Sequence, residues 1–281
     1  MPTATLDGIE TYYESYGSGS PILMCAPGGF DATIEKWRSA TAWTGIDAIR
    51  ALATEHRVVV YDRRECGQSG GRVERLSWAS YTRQGKALLD HLNLGAAWIM
   101  GGCMGCSVAL AFGVHYPETT RGLVLHWPVG GYRWKLNSQA RFLRHFEYAK
   151  QQGLGSVVER AQKSKNFWQD PESGPWAGLI ARDSGFADRF ASQDLERYLG
   201  MIVTTGRTLF DRDTATGAEP EEVVGIKTPS LIIPGDDPSH ATSGAHYLRE
   251  LLGKAEFWNV MPPDQTTQKV CDRILGFCRV M

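Results

Sequence analysis

Residues 97–112, Ala-Trp-Ile-Met-Gly-Gly-Cys-Met-Gly-Cys-Ser-Val-Ala-Leu-Ala-Phe, run from an apolar strand-like segment through a glycine-rich turn into a helix-forming stretch. At its centre Cys103 sits in a Gly-x-Cys-x-Gly frame, Gly101 to Gly105. A strand that becomes a helix within about four residues forces one side chain into a strained conformation and leaves no room for a Cβ on either side of it. The frame therefore predicts a nucleophile elbow, with the Cys103 thiol raised above a sheet. The plain alternative is a glycine turn whose cysteine is only a small buried hydrophobe.

The neighbouring runs extend the pattern. Pro21-Ile22-Leu23-Met24-Cys25-Ala26-Pro27-Gly28-Gly29-Phe30 is an apolar strand followed by a Gly-Gly turn. Arg57-Val58-Val59-Val60-Tyr61-Asp62 is a second strand, followed by Arg63-Arg64-Glu65-Cys66-Gly67-Gln68-Ser69-Gly70. A Gly-Gly loop, then Asp-x-Arg-x-x-Gly-x-Ser, then the elbow, in this order, resembles the α/β-hydrolase fold superfamily. The resemblance covers nearly the whole chain, since Pro229-Ser230-Leu231-Ile232-Ile233-Pro234-Gly235-Asp236-Asp237 looks like the late strand whose following turn carries the family's acid. It implies a mostly parallel, doubly covered α/β sheet with an inserted helical cap.

Length and composition agree. A chain of 281 residues, 42% hydrophobic and 22% charged, can bury one large core. The formal charge of −1 gives no field for nucleic acid or an anionic membrane, so the expected partner is a small molecule. The longest apolar runs are six or seven residues, and the N-terminus has neither a basic nor an apolar leader region, which predicts a cytoplasmic protein. Six cysteines (25, 66, 103, 106, 271 and 278) form no paired framework and no metal-ligand spacing with histidine. Cys103 and Cys106 make Cys-x-x-Cys, but without the thioredoxin-like βαβ context of a redox pair. No cofactor or metal is expected.

Strands are expected at residues 9–16, 21–26, 57–62, 97–101, 122–127, 229–234 and 255–261, with helices between most of them. Alternation of this kind means a parallel sheet covered on both faces. Between Pro128 and Gly225 the pattern is helix upon helix: 139–152, 154–164, 175–182, 185–191 and 194–210. Residues 129–225 thus read as a cap inserted after the sixth core strand, with 1–128 and 226–281 forming the core. The cap and its edge are rich in aromatics, including Trp127, Tyr132 and Trp134, most of which should pack cap on core while these three reach the pocket. An apolar or aromatic substrate suits such a lid. Arg133, Lys135, Arg141 and Arg144 could meet a carboxylate, but their spacing equally fits a solvated helix face, and an acidic substrate is not predicted. Aromatic cap surface can also serve a homodimer.

The chemistry departs from the family pattern. Its triad runs nucleophile, acid, histidine, with the histidine in the loop after the last strand. Here that loop is Pro262-Pro263-Asp264-Gln265-Thr266-Thr267, and all seven histidines (56, 91, 115, 126, 145, 240 and 246) precede it. A thiol at a helix N-terminus can ionise and attack with less help than a serine, so Cys103 remains the expected nucleophile. The resemblance implies oxyanion donors at Met104 and at Gly29 or Phe30, and an acid at Asp237, Asp236 being a turn residue. For the base, His126 ends the sixth strand at the carboxyl edge of the sheet, and His240 follows Asp237 in its turn unless it only caps the next helix. Asp264 or Gln265 occupies the family histidine's place, and Asp264 reads best as a surface turn residue.

Three functions fit: a cysteine hydrolase or acyl-transfer enzyme acting on an ester, thioester or lactone; a lyase, decarboxylase or cofactor-free oxygenase on the same fold; and a silent ligand binder. The retained elbow argues against the last.

Overall fold

The computed structural model describes residues 2–39, 47–164 and 166–280. Eight strands, β1 (Thr3–Leu6), β2 (Ile9–Tyr16), β3 (Ser20–Cys25), β4 (His56–Tyr61), β5 (Ala97–Gly102), β6 (Thr120–His126), β7 (Ser230–Ile233) and β8 (Ala255–Phe257), form one sheet in the order β1-β2-β4-β3-β5-β6-β7-β8. The first two pairings, β1 with β2 and β2 with β4, are antiparallel, and the rest are parallel. The hairpin turn is Asp7-Gly8, both at positive φ, as a two-residue turn matching the strand twist requires.

Strands β3 to β7 are short apolar runs rather than alternating ones because helices cover both faces. Every residue of β5 is buried. The core lies in two layers: Leu23, Ile99, Phe112 and Leu125 on one side, and Ile22, Trp98, Val124 and Phe277 on the other. Trp98 meets Phe277 of the last helix at 5.3 Å between ring centroids. Loss of a buried indole of this kind costs about 3–5 kcal/mol.

The core helices are α1 (Lys36–Ser39), α2 (Ala48–Leu52), α3 (Trp78–His91) and α4 (Gly105–His115). Between β6 and β7 stand α5 (Tyr132–Ser164), α6 (Ala177–Arg182), α7 (Ser184–Ala191), α8 (Leu195–Phe210) and α9 (Pro220–Gly225), and α10 (Thr242–Leu251) and α11 (Thr267–Val280) complete the chain. The stretch after β6 is helical, as its patterning predicts. The runs expected at 139–152 and 154–164 join end to end in α5, with Gly153 at φ +79 interrupting the helix between them. β8 stops at Phe257, short of the expected 261, and Pro262–Asp264 form a short 3₁₀ turn beyond it. Among the described residues no helix is long and apolar enough to cross a membrane.

Candidate active site

β5 ends at Gly102 and α4 begins at Gly105, so Cys103 and Met104 carry the whole reversal. Cys103 has φ +53, a left-handed conformation that costs an L residue about 1–3 kcal/mol and persists only where its surroundings enforce it. A Cβ on Gly101 would lie 2.3 Å from the Gly105 carbonyl oxygen, and one on Gly105 would lie 2.1 Å from that of Cys25. The two glycines are therefore fixed by backbone contact. The Cys103 N–H donates to the His126 carbonyl at 3.2 Å, tying the elbow to β6.

The turn after β7 brings His240 against Asp237 at the edge of the cavity. His240 Nδ1 lies 2.8 Å from Asp237 Oδ2, while Asp237 Oδ1 accepts from the backbone N–H groups of Ser239 (2.7 Å) and His240 (3.0 Å). Asp237, rather than the exposed Asp236, thus satisfies the turn. Gly235 makes the close approach possible, since a Cβ there would meet the His240 Cβ at 2.6 Å. His240 does not cap α10, whose cap residue is Ala241. Its Nε2 edge is buried without a partner at close hydrogen-bond distance. The His240 ring interacts with the Cys103 side chain through charge and a side-chain hydrogen bond.

Electrostatics follow from this arrangement. Burial pushes the Cys103 thiol up, but the charge of His240, its hydrogen bond and the backbone N–H groups of Gly28 and Met104 outweigh it, leaving the thiol below its ordinary pKa. Burial likewise disfavours a charged His240, yet the Cys103 thiolate and Asp237 raise it to about 10. The hydrogen bond from His240 holds Asp237 below the usual carboxylate range. Both shifts favour the thiolate–imidazolium form of the pair.

The N–H groups of Met104 and Gly28 thus converge on the sulfur, whereas Phe30 is buried among Phe142, Phe167 and Trp168. Gly29 lines the cavity, and the Trp168 indole covers it so closely that a Cβ would fall 2.0 Å from the ring. The buried Arg63 guanidinium donates to the Gly29 carbonyl and stacks 4.1 Å from the Tyr81 ring centroid, which fixes this loop.

His126 lies outside the cavity lining. It is 1% exposed, and burial lowers its pKa to about 3, so it stays neutral and cannot serve as a titrating base. Gln265 hydrogen-bonds to it, accepts from Trp127 Nε1 at 2.7 Å, and donates to the carbonyls of Pro234 and Val260, each at 2.7 Å. In the place where the resemblance led one to expect histidine, a buried amide joins β6, β7 and the last loop. Asp264 is exposed.

The cavity above Cys103 has a volume of about 360 Å³ and is lined by Trp127, Trp134 and Trp168. Trp127 packs 5.6 Å from the His240 ring. Tyr132, expected in the pocket, is 61% exposed on the outer surface instead; it is the first residue of α5, before the face that turns inward. Trp168 was the aromatic that sequence order hid, since it reaches the site from a loop more than sixty residues past the elbow. Among the described residues no group of three or more His, Cys, Asp or Glu side chains is placed to hold a metal ion.

A sequence profile of the α/β hydrolase fold matches residues 21–258. The chain belongs to the α/β-hydrolase family. This α/β hydrolase is 26% identical over 297 residues to RutD of Azorhizobium caulinodans, a protein named for carbamate hydrolysis, covering 99% of this chain and 98% of that one. Among solved structures it resembles MGS-M2, an α/β hydrolase enzyme from a Medee basin deep-sea metagenome library (TM-score 0.65, 20% identity, 99% and 97% of the two chains). It also resembles the enol-lactonase of Burkholderia xenovorans LB400 (TM-score 0.60, 18% identity, 99% and 97%). At these identities the structural likenesses speak for the fold. Family membership and hydrolase relatives together make this chain an enzyme, a hydrolase of the α/β fold.

Proposed function

We propose that this α/β hydrolase is a cysteine enzyme that cleaves a small activated carbonyl compound, an ester, thioester or lactone, with Cys103 as nucleophile, His240 as acid and base, and Asp237 orienting His240. The observation that supports the reading is the Cys103–His240–Asp237 cluster, in which the imidazole meets the acid through Nδ1 and interacts with the Cys103 side chain in the same cavity. Hydrolase relatives, one of them named for a carbamate and a structural neighbour for an enol lactone, fit a carbonyl substrate.

The thiolate, also favoured by its place at the start of α4, attacks the carbonyl carbon. Negative charge develops on the carbonyl oxygen, where the N–H of Met104 and an N–H of the Gly28–Gly29 loop would stabilise it. The C–O or C–S bond to the leaving group breaks, and the imidazolium gives its proton to the departing atom. The neutral His240 then takes a proton from water as that water attacks the thioester. The acid departs, and thiolate and imidazolium are restored. If an alcohol or amine replaces the water, the same steps accomplish acyl transfer. Lyase or oxygenase chemistry drew its support from a missing base, and His240, in contact with Asp237 and lining the same cavity as Cys103, is a candidate for that base.

Residues 129–225 form the cap in this reading, and its tryptophans enclose the apolar body of the substrate. The test is turnover of short 4-nitrophenyl esters by the wild type, Cys103→Ala and His240→Ala. Activity that survives in Cys103→Ala would refute the assignment.

A further inference from the structure

One face of α5 turns toward Cys103. Trp134, Asn137, Ser138 and Arg141, spaced at i, i+3, i+4 and i+7, all line its cavity. The other three cations of this region point elsewhere or are paired. Arg144 binds Glu172 at 2.9 Å, Arg133 is held against the outward Tyr132 at 6.0 Å, and Lys135 does not line the cavity.

Arg141 is half-buried and positioned. Its Nε donates to the Trp168 carbonyl at 3.2 Å, its Nη1 donates to the Asn137 carbonyl at 3.1 Å, and its guanidinium stands 5.2 Å from the Trp168 ring centroid. Both bonds go to neutral carbonyls. Among the described residues no carboxylate lies within ion-pair distance of it, whereas the cavity's other cation outside the triad, Lys36, is neutralised by Asp31 at 2.8 Å. A guanidinium fixed on two sides, with its charge unmatched, in the chamber of a nucleophile is arranged to receive an anion from outside the protein. Planar, forked donors suit a carboxylate.

We propose that the substrate carries a carboxylate at the end remote from the reacting carbonyl, and that Arg141 is the residue that selects for it. The proposal rests on the reading of the Cys103 cavity as the active site. The tryptophans then hold the carbon body between the two ends, so the substrate class is a half-ester, half-thioester or lactone with an anionic tail.

The test compares two esters of equal acyl length, the 4-nitrophenyl monoester of glutarate and 4-nitrophenyl pentanoate, on the full chain and on Arg141→Gln and Arg141→Lys. The expected result is a kcat/KM for the glutarate ester at least about tenfold above that for pentanoate in the wild type, from charge-assisted hydrogen bonds. That ratio should fall toward unity in Arg141→Gln, through KM, and recover in part in Arg141→Lys. A ratio that is the same in wild type and Arg141→Gln overturns the proposal. Calorimetric titration with glutarate and with its neutral diamide separates this claim from the cysteine chemistry. Glutarate binding that disappears in Arg141→Gln, in a protein that turns over neither ester, would support the anionic end and sink the hydrolytic reading. Turnover of both esters with no glutarate binding in the wild type would retain the hydrolase and overturn the carboxylate.

Discussion

His240 and Asp237 lie in one turn, three residues apart, with Nδ1 2.8 Å from Oδ2. In the proposed mechanism acid and base therefore come from the same short segment after β7, and the loop after β8 takes no part. His240→Ala should lower kcat/KM about 10²–10⁴-fold, and Asp237→Asn should lower it substantially while leaving Cys103 in place. Steady-state kinetics on both variants check this, and a His240→Ala enzyme with near wild-type rate would show that another group is the base.

The pH dependence has a definite sign. Cys103 is lowered and His240 is raised to about 10, so the ion pair is populated between the lowered thiol value and about 10. Removing the imidazolium leaves burial as the main influence on Cys103, which raises its pKa. The rate of iodoacetamide alkylation against pH should therefore titrate below an ordinary thiol in the wild type, and the profile of His240→Ala should move to higher pH.

Trp168 and Gly29 form a tight pair, since a Cβ on Gly29 would fall 2.0 Å from the indole. Gly29→Ala must displace the ring and with it the roof of the cavity, lowering kcat/KM. In a Trp168→Ala background the same substitution should cost less, with a coupling of about 0.5–3 kcal/mol in a double-mutant cycle. Additive effects would mean that the two do not share one space.

Gln265 makes three bonds at 2.7 Å to Trp127, Pro234 and Val260. Gln265→Leu keeps the volume but removes its bonds to the Trp127 indole N–H, the buried Pro234 carbonyl and the part-buried Val260 carbonyl, at roughly 1–3 kcal/mol for each group left unsatisfied. A drop in Tm of several degrees is expected, and thermal unfolding followed by circular dichroism measures it.

The fold was legible because its signals are local. The Gly101–Gly105 frame, the apolar runs of β3, β4 and β5 and the change to helical patterning after β6 each depend on neighbours in sequence. The places of Cys103 in the turn after β5 and of Asp237 in the turn after β7 were legible for the same reason. The choice between His126 and His240 was not, because it depends on which way a side chain at a strand end turns. His126 is buried in the core beside Gln265, while Gly235 leaves room for His240, which lines the cavity. Tyr132 against Trp168 shows the same limit: whether an aromatic faces the cavity is set by helix phase and by loops that return from far along the chain.

The proposed mechanism requires a covalent intermediate on Cys103, which rapid acid quenching during the first turnover of 4-nitrophenyl acetate, followed by intact mass and peptide mapping, would capture. A single acetyl group should accumulate on Cys103 and then clear as water attacks. Turnover of the ester with Cys103 unmodified at every time point, or with the acetyl group on another residue, would contradict it.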